Sequence, residues 1–156
     1  MKKIVCALGI VLSALSAPSA QAAPPESYAG KQPQQLLKMA DFSKAYRAAT
    51  RDVELPAWTR RLAAGPSAQI VDIGGGKRIL TSACGKGGCL DERIYVLFDP
   101  EAKSATGFFF LPPAADDPGD SRTAFSQWFG KPGKEDADFL LERAVTDAQS
   151  LNKPNH

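Results

Sequence analysis

The chain has 156 residues, with 19 Lys and Arg, 17 Asp and Glu and one His, for a formal net charge of +2. That length suits a single domain. The near-balanced charge gives no global case for nucleic acid or an anionic membrane as partner, and a lone histidine at the last position, His156, leaves no internal imidazole for a Ser-His-Asp or Cys-His site.

Residues 1–22 read as a secretory signal peptide. Lys2 and Lys3 form a basic start, residues 4–17 an apolar run, and Ala20-Gln21-Ala22 a small-x-small cleavage site. The run is short for a membrane-spanning helix. Cys6 stands too early in it for lipid attachment and leaves with the leader. The expected mature chain has 134 residues with 17 basic and 17 acidic side chains, so the positive charge belongs to the leader. Export follows as the expectation, with no membrane contact after cleavage.

Residues 23–40 begin rich in Pro, Gln and small side chains and read as a tether, with a possible short helical turn at "QQLLKM". The folded domain is expected over 41–156. Asp41 is placed as a helix N-cap, followed by Phe42, Ala45, Tyr46 and Ala49 at helical spacing. "ELPAW" (54–58) ends that helix, because Pro56 disfavours helical geometry in Leu55. Trp58 is read as a core corner rather than a contact residue.

Strand patterns follow at 68–73, 77–83, 93–98 and 105–111, separated by short turns. "DIGGGK" (72–77) is a hairpin turn rather than a phosphate loop, since a strand and not a helix follows it. Residues 112–120, "PPAADDPGD", are a loop. Residues 122–130 fit helix or strand; Gly130, Pro132 and Gly133 favour strand. A last helix starts near Glu135, Asp136 and Asp138, acids that suit a helix N-terminus. Its buried side is expected to hold Phe139, Leu140 and Ala144, with Val145 and Leu151 as further members. The fold class is therefore α+β: an antiparallel β-sheet meander with helices near both ends of the mature chain packed on it.

The chemistry of the domain is sparse. The carboxylate pairs Asp91/Glu92, Asp116/Asp117 and Glu135/Asp136 are neighbours in sequence, which reads as solvated surface; a glycosidase pair needs two segments to converge. Cys84 and Cys89 in an exported chain read as a disulfide. Four intervening residues disfavour a thioredoxin-type pair, and the lack of histidine disfavours zinc. No cofactor, metal or catalytic residue is expected. What remains is a stapled hairpin tip, "CGKGGC", formed by Cys84, Gly85, Lys86, Gly87, Gly88 and Cys89. The bond holds glycines that would otherwise be mobile, and a stiff, thin protrusion enters a cleft at little ordering cost. A stapled hairpin without a partner is the alternative that residue types alone leave open. Asp91, Glu92 and Arg93 beside the tip are read as surface charges, with flanking contacts as the lesser option.

"LPAW" (55–58), "SAC" (82–84), the four-residue gap to Cys89, Arg93-Ile94 with Val96, and "WFGKP" (128–132) together resemble the vertebrate lysozyme inhibitor (Ivy) family, over roughly residues 41–151. The resemblance implies a periplasmic, non-catalytic α+β domain, often a homodimer. Such a domain inserts its disulfide loop into the active-site cleft of c-type lysozymes, and some members are thought to restrain lytic transglycosylases. The best-known members carry a loop Cys-Lys-Pro-His-Asp-Cys whose histidine hydrogen-bonds the catalytic carboxylates. Here Lys86 stands at the proline position, Gly87 at the histidine and Gly88 at the aspartate. Two readings follow. One is an inhibitor whose Lys86 takes over the charged contact. The other is an Ivy-fold binding or stress protein that has lost lysozyme inhibition.

Overall fold

Strict alternation governs the longest strand, β3 (Gly88–Asp99). Ile94, Val96 and Phe98 point to one face of the sheet, Arg93, Tyr95 and Leu97 to the other, and all six are buried. A strand covered on both faces needs apolar cover on both. The computed structural model, which describes residues 23–100, 103–111 and 125–151, supplies it. Residues 1–22, read as a leader, residues 112–120, read as a loop, and His156 lie outside the described residues.

Among the described residues, four further strands join it in a five-stranded antiparallel sheet in sequential order: β1 (Gln69–Ile73), β2 (Gly76–Gly85), β4 (Ser104–Leu111) and β5 (Phe125–Phe129). This is the expected meander, and 125–129 takes the strand alternative. Gly74 and Gly75, at φ 58° and 76°, make the two-residue turn from β1 to β2, so "DIGGGK" closes a hairpin.

The helices divide between the faces. Helix α1 (Pro33–Leu36), helix α2 (Ala40–Ala49) and the 3-10 turn at Pro25–Tyr28 cover the Ile94 face. There Phe42 packs edge-on between Tyr28 and Phe98, with ring centroids 4.8 and 5.0 Å away. Burying a side chain such as Phe98 contributes about 2–3 kcal/mol. Helix α3 (Lys134–Leu151) covers the Tyr95 face with Leu140 and Ala144 over Ile73, Leu80, Leu97 and Phe108.

Several expectations are corrected. The segment read as a tether is part of the domain. Tyr28 and Leu36 sit in the core, and Gly30 and Lys31 exchange backbone hydrogen bonds with Ala68 at 2.9 and 2.8 Å; these contacts outweigh the polar composition around them. Asp41 is not the N-cap of α2. The helix begins at Ala40, Met39 caps it without a side-chain bond, and Asp41 lies in the first turn, 3.4 Å from Lys103. The helix ends at Ala49, before "ELPAW", where both Thr50 N–H and Thr50 Oγ1 bond to Tyr46 O. Val145, expected on the buried side of α3, is 57% exposed.

Candidate functional site

Strands β2 and β3 outrun their neighbours. Among the described residues, strand β1 pairs with β2 only as far as Leu80, and β4 pairs with β3 only back to Arg93. The hairpin end beyond those points carries the cysteines. Cys84 and Cys89 are bonded, with Cα atoms 4.8 Å apart, within the usual range for a disulfide.

The tip has its own register. Gly85 pairs with Gly88, leaving Lys86 and Gly87 as the turn, whereas the residue before Gly85, Cys84, pairs with Arg93. Strand β3 thus holds four residues, Cys89 to Glu92, that oppose nothing on β2 in the sheet's register. Such a bulge breaks the ladder and bends the strand. Gly88 sits at φ 105°, a conformation that L side chains rarely adopt. Lys86 and Gly87 are exposed, Gly88 and Cys89 half-buried, and Cys84 is buried. The tip therefore presents one charged side chain, Lys86, on a backbone otherwise of glycine.

Two consecutive residues hold the base of the tip from opposite faces. On the α2 face, the indole Nε1–H of Trp58 donates to Glu92 Oε2. Trp58 belongs to a 3-10 turn, Ala57–Arg60, and tilts against Phe109 with centroids 6.3 Å apart. It is a core corner, as expected, and also a contact of the loop base. Glu92, expected as a surface charge, is half-buried and bonded. The Asp91 side chain lies outside the described residues.

On the α3 face, Arg93 is 8% exposed, which corrects its reading as a surface charge. Its Nη1 donates to Asp147 Oδ2 at 2.9 Å and to Tyr95 Oη at 2.7 Å, and Tyr95 Oη donates to Asp147 Oδ2 at 3.1 Å. Arg143 Nε donates to the other carboxylate oxygen at 3.0 Å. A buried guanidinium is tolerated because it is paired and hydrogen-bonded. Burial pushes the Tyr95 phenol up to about 12, against the opposing pull of Arg93.

A third support runs along the free side of β2. Cys84 N–H donates to Ala64 O at 2.7 Å. Gly65 presses so closely on β2 that a β-carbon there would stand 1.9 Å from Ser82 O. The tip is legible in the sequence, whereas Trp58, Asp147 and Ala64 as its supports are not. "LPAW" was visible, but nothing in the pattern linked it to Glu92, and Asp147 carries no signal that sets it apart from the other acids of the last helix. No protein-family model and no curated protein matches the chain.

Proposed function

We propose that the protein is a periplasmic, non-enzymatic inhibitor of muramidases of the c-type lysozyme or lytic transglycosylase kind, acting through the tip from Cys84 to Cys89. The observation that carries this reading is a disulfide-closed tip, supported at its base on both faces of the sheet, with Lys86 as its single charged group. Muramidase clefts hold a catalytic carboxylic acid by mechanism, and an ammonium on a narrow backbone is complementary to it. Dehydrating both ions opposes the gain, so binding draws on shape as well as charge. The resemblance in "LPAW", "SAC" and "WFGKP" supports the same reading.

The test is inhibition of a c-type lysozyme and of a lytic transglycosylase by the mature protein and by Lys86→Ala. The expected result is inhibition by the wild type and a loss of about tenfold or more in the variant. Unchanged potency removes Lys86 from the mechanism.

Gly87 in place of the family's histidine favours a second reading, a domain that keeps the fold as an envelope binding or stress protein. Failure of the wild type to inhibit either enzyme class selects it.

A further inference from the structure

Glu92 ends the bulge that separates the register of the tip from that of the sheet. Along a bulge the ladder no longer fixes the direction of the chain, so side chains must. Glu92 touches both sides of the loop. It belongs to β3, yet its carboxylate lies over Gly85 of β2, where a β-carbon would stand 2.7 Å from Oε2. Its anchor, Trp58, is itself held. Within the 3-10 turn, Thr59 N–H and Oγ1 both donate to Pro56 O, at 3.0 and 2.8 Å. Tyr46 of α2 donates to Thr59 O at 3.0 Å, and Thr59 is 1% exposed. A chain of fixed contacts therefore runs from α2 to the base of the tip.

We infer that Trp58 and Glu92 are positioning residues: their hydrogen bond sets the posture in which the Cys84–Cys89 tip leaves the sheet. The effect on potency rests on the muramidase-inhibitor reading; the effect on posture does not. The bond also ties down a carboxylate that sits beside a tip suited to an acidic cleft, where like charges facing one another cost affinity. Glutamine at 92 keeps an acceptor for the indole and removes that charge.

The experiment uses the mature protein with Trp58→Phe, Glu92→Ala and Glu92→Gln, each checked for a cooperative thermal transition. The chain has two tryptophans, so the Trp58 indole N–H is assigned in an NMR spectrum by its loss in Trp58→Phe. Backbone order parameters at Gly85, Lys86, Gly87 and Gly88 report posture, and inhibition of the muramidase reports function. In Trp58→Phe and Glu92→Ala the order parameters are expected to fall from about 0.85 toward 0.6, with a loss of potency of about tenfold as the tip must be ordered on binding. Glu92→Gln is expected to keep the indole resonance and the ordered tip, with potency equal to or above wild type. Wild-type order at the tip in both Trp58→Phe and Glu92→Ala overturns the inference. A loosened tip in a protein whose wild type inhibits no muramidase supports the posture role and overturns the inhibitor reading alone.

Discussion

Arg93 and Asp147, 54 residues apart, meet at 2.9 Å and tie the strand behind the tip to the last helix. The carboxylate also receives Tyr95 Oη and Arg143 Nε, so one acid serves three donors. Removing it strands a guanidinium that is 8% exposed. Asp147→Ala is expected to destabilise the fold by about 3 kcal/mol, the lower end for a broken buried pair because Asp147 itself is partly open to solvent. Urea denaturation measures it, and a loss under 1 kcal/mol contradicts the assignment.

Gly65 offers a steric test. Its Cα lies against the β2 backbone at Ser82 and Ala83 with no room for a methyl group. Gly65→Ala is expected to cost roughly 2–3 kcal/mol as the strand edge and its strap are pushed apart. Faster amide exchange at Cys84, whose N–H donates to Ala64, should accompany the loss. Unchanged exchange there argues against the strap.

The disulfide closes a loop with a sequence separation of only 5, so the chain-entropy model assigns it about 2 kcal/mol. Cys84→Ala/Cys89→Ala is expected to lose about that much while keeping the circular dichroism of the sheet, because the ladder from Cys84–Arg93 to Ile79–Phe98 is independent of the bond. Collapse of the β signal in the double variant is the contrary outcome.

Alkaline pH probes the two buried phenols. Burial raises Tyr46 and Tyr95 to about 12 from an ordinary value of 10. A raised folded value means that the native state holds the proton more tightly. Stability is therefore complete below pH 10 and declines as pH rises from 10 through 12. Tyr95→Phe and Tyr46→Phe should each flatten that decline in denaturant titrations at pH 9, 10 and 11. An unaltered slope in both contradicts the burial effect.

Much of the fold was legible because it rests on local pattern. The alternation of Ile94, Val96 and Phe98 with Arg93, Tyr95 and Leu97 marks β3, and the glycines at 74–76 mark the turn between β1 and β2. What was not legible depends on pairing across the chain. Arg93 reads as a surface charge until Asp147 lies beside it, and Glu92 does so until Trp58 arrives from 34 residues upstream. Tyr28 was hidden by the prolines and glutamines around it, yet its ring lies in the core with Leu36 of the same segment. The tip itself was legible as a stapled loop; its bulged base was not, since a register change leaves no signature in residue type.

The surplus of four residues on β3 also separates the tip from the sheet as a unit. The Gly85–Gly88 pair and the Cys84–Cys89 bond close the tip on itself, while the ladder from Cys84–Arg93 onward builds the sheet. What lies between the cysteines can therefore change without shifting a single pairing of the sheet.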